Sequence, residues 1–447
     1  MIRNRSRKHS GSEIAYFMMY AGKLMGWIRS QAQIDSFTGP ILTYLRQYSR
    51  ETFSSLYVRN YRLYYIGQMI SNSGTFMQSV AQAWLILKLT NSGIALGITS
   101  TLQYVPFLVL GPYGGVIADR FPKRKILYFT QSLYGILALT LGALVATNLV
   151  QVWMVYALAA CLGLVTVFDN PARQTFYMEL VGADHLRNAV TLYSILVNLA
   201  RIIGPTLAAA LIASFGLAPC FIINGFSYAM VLIMLAMMRA SELLVTPPLP
   251  RGRGQILEGF KYVISTPNIG ITLLIMAIIG TFTYEFHVSL PLLAQNTFKG
   301  GSSSYAFLTA SMGLGAAAGG IVFASRTRVR FSKVVSACFL FGLAVLAAAF
   351  MPSLPLTGLV MILVGIFSIN FSSLGNSLLQ LESSPQMRGR VMSFWSMASL
   401  GSTTLGAPIV GWLAEAAGAR WGLALGGVAA LLAAALGALT WRKGRNH

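Results

Sequence analysis

The chain has 447 residues, of which 55% are hydrophobic and only 10% charged, against about 25% charged in an average soluble domain. The shortfall runs along the whole length, which excludes a soluble protein with one anchor and leaves a polytopic membrane protein. A formal charge of +21 would point to nucleic acid in a soluble chain, but here the basic residues fall where a bilayer explains them, and no nucleic-acid partner is expected.

Residues 1–55 are read as a basic N-terminal extension. Its apolar stretch IAYFMMYAGKLMGWI is interrupted by Lys23 and flanked by Arg3, Arg5, Arg7, Lys8 and Arg29. That pattern suits a helix lying on an anionic membrane face. A gene start placed too early, with Met18, Met19 or Met25 as the true first residue, is equally compatible.

From Arg62 the apolar runs follow one another at the length of about 20 residues that a bilayer requires. They predict twelve transmembrane helices near 62–87, 93–118, 126–148, 152–168, 188–214, 217–238, 268–296, 304–325, 333–352, 355–379, 391–415 and 421–441. Arg120, Lys123, Arg124 and Lys125 fall between the second and third spans. Arg326, Arg328, Arg330 and Lys333 fall between the eighth and ninth, and Arg442, Lys443 and Arg445 form the tail. The opposite side carries Lys88, Lys299 and Arg420. The positive-inside rule then puts both termini in the cytoplasm.

The longest connection divides the chain into an N-terminal six-helix bundle, 56–238, a cytoplasmic linker, 239–266, and a C-terminal bundle with a basic tail, 267–447. The halves echo each other. RNAVTLYSILVNLARIIGP opens the fifth span and RGRVMSFWSMASLGSTTLGAP the eleventh, while GGVIADR after the second parallels GGIVFAS after the eighth. Such internal repeats mark transporters that rock two bundles about a central site.

Other chemistries find little support. Cys161, Cys220 and Cys338 are isolated in apolar runs and read as packing residues. His9, His185, His287 and His447 are too scattered for a metal site. The GxxxxGK[ST] phosphate loop that would mark ATP-driven transport does not occur, and no cofactor is expected. A membrane enzyme would need clustered catalytic groups among only twelve acidic residues and four histidines. A sensor would need a soluble output domain.

GVIADRFPKRK, Gly115 to Lys125, resembles the loop between the second and third spans of the major facilitator superfamily, usually written GxxxDRxGRR. Gly115, Asp119, Arg120, Lys123 and Arg124 match, and Pro122 stands where glycine is usual. Gly115 permits close helix approach. The resemblance implies that Asp119 accepts hydrogen bonds at the N-terminus of the eleventh span and latches the cytoplasmic side shut. The second-half copy has Ala324 and Ser325 in place of Asp and Arg. Further stretches, NYRLYYIGQMISNSGTFMQSVAQAWLILKLTNSG, FDNPARQ, NLARIIGP, SLPLLAQ and RGRV, are similar to the exporter branch containing enterobactin and macrolide efflux proteins, over roughly residues 52–440. Ala83 departs from it, at a position where many relatives carry an acid.

The resemblance implies a major facilitator fold in a bacterial inner membrane. It implies export of a small amphipathic molecule of the drug, macrolide or siderophore class, coupled to proton entry; a monomer is expected to suffice. An importer or lipid flippase would share every motif.

Charges inside spans are costly and have a partner or a task. Arg201, near the middle of the fifth span, is either a gate or anionic-substrate contact, or a structural cation paired with Asp169 or with carbonyls freed by Pro205. Glu285 lies well inside the seventh span and is the candidate for the coupling proton, against a reading in which it only pins helices together. His287, two residues on, faces another direction. Cavity candidates are Asn72, Gln78 and Gln82 on the first span, Tyr284 and His287 on the seventh, Asn370 and Asn376 on the tenth, and the aromatic residues Trp84 and Trp395, each with a plainer helix-packing alternative.

Overall fold

A computed structural model describes residues 54–244, 255–323, 329–384 and 387–443. The N-terminal extension up to residue 53 and the Pro-rich part of the linker, 245–254, lie outside the described residues. So do Arg326 and Arg328 and the last four residues of the tail. Val58 to the C-terminus forms one compact unit.

All twelve expected spans are present as helices. The first six are α1 (Arg59–Thr90), α2 (Gly93–Arg120), α3 (Lys123–Ala146), α4 (Val152–Gly182), α5 (Asp184–Phe215) and α6 (Ala218–Ala236). After a short amphipathic helix, Gln255–Ser265, come α7 (Pro267–Thr297), α8 (Ser302–Phe323), α9 (Phe331–Phe350) and α10 (Leu354–Glu382). The last two are α11, built from Arg388–Ser396, Met397–Gly401 and Thr403–Ala416, and α12 (Ala419–Lys443). Among the described residues, nine helices are each long and apolar enough to cross a membrane. Of the other three, α1 carries the amides Gln68, Asn72, Gln78 and Gln82, and α11 is interrupted by a turn of π-helix at Met397–Gly401. The outer surface carries large apolar side chains at high exposure, such as Phe129 (64%), Phe226 (61%) and Leu405 (64%). Patches of that kind need lipid to cover them.

Eleven spans agree with the sequence expectation to within about four residues at each end, and one boundary differs by more. The fourth span runs on to Gly182 rather than stopping at 168, and FDNPARQ lies inside it. The helix continues because its charges find partners within the bundle. Arg173 pairs with Asp169 one turn away, and Asp169 also accepts from Thr130 Oγ1 at 2.7 Å and Gln131 Nε2 at 2.9 Å on α3. Gly182 ends α4 at φ +71°, a conformation that side chains strongly disfavour, so α5 begins almost at once.

The amphipathic helix is fixed to the second half. Glu258 pairs with Arg390 at 2.7 Å, Phe260 packs on Phe394, and the Tyr262 hydroxyl accepts from the Ser384 backbone N–H at 3.1 Å. The bundles meet along two seams, α2 with α11 and α5 with α8.

Candidate functional site

The α2–α11 seam runs from the Ser92 end of α2 to about Leu108. A Cβ on Gly97 would sit 2.6 Å from the Ala407 carbonyl oxygen, so only glycine allows this approach. Thr101 Oγ1 donates to the Thr404 carbonyl at 3.0 Å, and Gly401 faces Leu108. At the end of the seam Glu415 accepts from the Ser92 hydroxyl and the Ile94 N–H. Gln295 of α7 donates to Asn91 at 2.8 Å beside it. The two halves are therefore joined at the Ser92–Glu415 face.

At the opposite face, the motif residues are tied within the first half. Lys123 is buried and pairs with Glu179 of α4 at 3.0 Å. Arg124 donates to the Leu235 carbonyl of α6 at 2.6 Å and lies over the ring of Tyr128. Arg120 is exposed. The Asp119 side chain and the surroundings of Gly115 lie outside those described.

In the middle of the unit, α7 is a broken helix. A π-turn at Ile279–Thr283 precedes Tyr284 and Glu285, whose ψ angles of 8° and 36° leave the helical range, and a short α-helix resumes at Phe286. π-turns of this kind are frequent at functional sites, and discontinuous spans form midplane sites in transporters. Glu285 is buried, Thr403 of α11 lies against its carboxyl, and Oε1 has no hydrogen-bond partner among the described residues. The helix break leaves α7 tightly seated. Gly280 packs on the Ala398 carbonyl, and Thr283 Oγ1 donates to the Gly426 carbonyl at 2.8 Å.

Arg201 corrects one expected pairing: Asp169 is bound to Arg173, not to Arg201. Arg201 instead lies half-buried on α5, with its guanidinium over the Phe76 ring, 5.7 Å from the centroid. Its backbone carbonyl abuts Gly313 of α8, where a Cβ would come within 2.9 Å. His287 is exposed and within electrostatic range of Arg201, so the two face a common space, while Glu285 turns into the α7–α11 contact.

Other cavity candidates separate into two groups. Gln78 accepts from Asn224 at 2.7 Å in a buried α1–α6 network with Ser227, and Trp395 is buried against Phe371 and Gly375. Both pack between helices in this conformation, the plainer of the two alternatives that the sequence offers for them. Asn72 donates to Gln68 on its own helix, and Asn376 accepts from Gln380 on its own. Gln82, Tyr284 and Asn370 are less committed. Gln82 and Tyr284 are half-buried, the Tyr284 hydroxyl meets Ser368 at 3.5 Å, and Asn370 Oδ1 is buried without a partner among the described residues. Sequence reasoning missed Phe76, Glu415 and Ser92. An acid in the last turn of one span and a Ser N-cap at the start of another were the only signals for the last two.

Twelve helices in two six-helix halves, joined along α2–α11 and α5–α8 around a broken seventh helix, define a major facilitator superfamily transporter. The chain belongs to the transmembrane secretion effector family, whose model matches residues 50–443. It is 27% identical over 386 residues to the Enterobactin exporter EntS of Escherichia coli O1:K1, covering 83% of this chain and 91% of that protein. Among solved structures, a bacterial homologue of the human lysosomal transporter Spinster, in an inward-facing and unoccupied conformation, matches at TM-score 0.67 and 16% identity, over 86% of this chain and 97% of its own. A POT family transporter in complex with 5-aminolevulinic acid matches at TM-score 0.70 and 11% identity, over 85% and 95%. The protein is a multi-pass membrane transporter and not an enzyme.

Proposed function

We propose that this transporter exports small amphipathic molecules from the bacterial cytoplasm as a proton antiporter, by alternating access across the inner membrane. The observation that carries this reading is the one-sided seam between α2 and α11, made by Gly97, Thr101 and Glu415 at the Ser92 end. A seam that holds only one end leaves the space between the halves reachable from the other. Lys88 and Lys299 are exposed at the closed end, against Arg120, Lys125 and Arg330 at the far end. The positive-inside rule therefore supports a cytoplasmic far end and cytoplasmic termini. This conformer is then inward-facing, the state that loads an export substrate. Exporters among the relatives support the outward direction.

In this reading Glu285 is the coupling group. A carboxyl at a helix break, with one oxygen unanswered and the α11 Thr403 against the other side, is placed to exchange a proton when the α7–α11 contact rearranges. Asp119 is the counterpart of Glu415 at the cytoplasmic end and engages α11 when that end closes. The central test is accumulation of a labelled compound panel in cells with and without the protein, repeated with the proton gradient collapsed. Lower accumulation with the protein, abolished by the uncoupler, is the expected result. Higher accumulation would establish import, and insensitivity to the gradient would remove the proton.

A further inference from the structure

We propose that Arg201 binds an oxyanion of the transported molecule, so that the substrate is an anionic amphiphile and not one of the cationic drugs. The inference rests on the space between the bundles being the substrate path and deepens that reading.

Its position comes first. Arg201 is 17 residues from Asp184 and 14 from Phe215 at the two ends of α5, or about 26 Å and 21 Å at 1.5 Å per residue. It is therefore near the middle of the hydrocarbon layer, where an unanswered cation is most costly. Its backbone meets Gly313 of α8 and its guanidinium covers Phe76 of α1, so it stands where the two halves adjoin.

Its lack of a partner comes second. Three other cations that are at least partly buried have a carboxylate: Arg173 has Asp169, Lys123 has Glu179, and Arg390 has Glu258. Arg201 has five N–H donors and, among the described residues, neither an ion pair nor a hydrogen bond; the Phe76 ring is its recorded partner. Asp169, the partner that the sequence suggests, is used by Arg173, Thr130 and Gln131. The Glu285 carboxyl of α7 lies against Thr403 instead.

The surroundings come third. The groups within electrostatic range of Arg201 are Tyr104 of α2, Tyr193 of α5, and Tyr284 and His287 of α7. All are aromatic or imidazole side chains and none is an acid. A planar guanidinium binds a carboxylate-like group through two parallel hydrogen bonds. Aromatic walls suit an apolar or aromatic body. Glu285 is within electrostatic range of Tyr104 but is not among the groups acting on Arg201, so a cationic ligand would meet the guanidinium with no acid paired to it.

The test uses the full-length protein purified in a mild detergent and reads binding alone, so it depends neither on transport direction nor on a gradient. Thermal stabilisation is titrated with fluorescein and aromatic carboxylates, and with rhodamine 6G and the matched aromatic amines. We expect the anionic set to stabilise wild type. Arg201→Gln should bind it roughly tenfold to a hundredfold more weakly, the range of a lost charge-assisted bidentate contact. Arg201→Lys, which keeps the charge without the fork, should fall between them, and it carries the test if Arg201→Gln does not fold. Preferential stabilisation by the cationic set, undiminished anion binding in both variants, or no stabilisation by any compound of either charge would overturn the assignment. An importer with intact anion binding at Arg201 would leave this inference standing and remove the export reading.

Discussion

Glu415, in the last turn of α11, accepts the Ser92 hydroxyl at 3.1 Å and the Ile94 backbone N–H at 3.2 Å, across the seam between the two halves. Ser92 is itself the N-cap of α2, accepting from Ala95 N–H at 3.3 Å. The carboxylate thus sits where the unpaired amides and the positive end of α2 both favour it. It is the arrangement expected of Asp119 and α11 at the other end, transposed to the opposite face.

Removing that contact should release the closed end. Glu415→Gln keeps the shape and discards the charge. For an exposed interaction of about 1 kcal/mol, the balance should move roughly fivefold toward the conformer open at this end. Thiol labelling of a cysteine placed at Thr101, in the seam, reads the shift. Unchanged labelling in Glu415→Gln and in Ser92→Ala would show that the contact does not hold the gate.

A wedge in the same seam should act more strongly. Gly97→Val puts its first carbon 2.6 Å from the Ala407 carbonyl and a branched side chain beyond it, so the halves cannot close here. Transport should be lost while the thermal unfolding midpoint stays near wild type, since the substitution opposes one conformer and not either bundle. Wild-type transport in a folded Gly97→Val protein would refute the close approach.

Glu285→Gln should separate coupling from binding. Gradient-driven export collapses, whereas substrate binding and exchange down a substrate gradient survive, because the amide keeps the shape and cannot carry the proton. Proton-dependent concentration of substrate by this variant would place the coupling group elsewhere.

Asp119→Asn should slow cycling without disturbing expression, as expected of a carboxylate that stabilises only the conformer closed at the cytoplasmic end. Transport at the wild-type rate under a full gradient would end that role.

The Asp169–Arg173 pair should behave as structure. Asp169→Ala leaves a half-buried guanidinium without its carboxylate and strips Thr130 and Gln131 of their acceptor. Breaking such a pair costs about 3 kcal/mol, so the unfolding midpoint should fall by several degrees. Asp169→Ala/Arg173→Ala should fall by less than the sum of the two single changes. Strict additivity would contradict the coupling.

The sequence by itself determined the number of spans, their order and the two-fold repeat, because a bilayer demands a run of apolar residues wherever the chain crosses. It also singled out the costly residues Arg201 and Glu285, since charges in such runs stand out in one dimension. What it did not determine was which residue answers which. Asp169 lies 4 residues from Arg173 and 32 from Arg201, yet FDNPARQ reads as a loop until α3 supplies Thr130 and Gln131 as partners. Gln78 and Gln82 are alike on paper, and only the approach of Asn224 on α6 commits one of them to packing. Trp395 is absorbed by Gly375 and Phe371 of α10. Contacts such as Glu415 with Ser92, 323 residues apart, depend on how two rigid bundles are set against each other. That setting is a property of the packed halves and changes with conformation, so no local pattern encodes it.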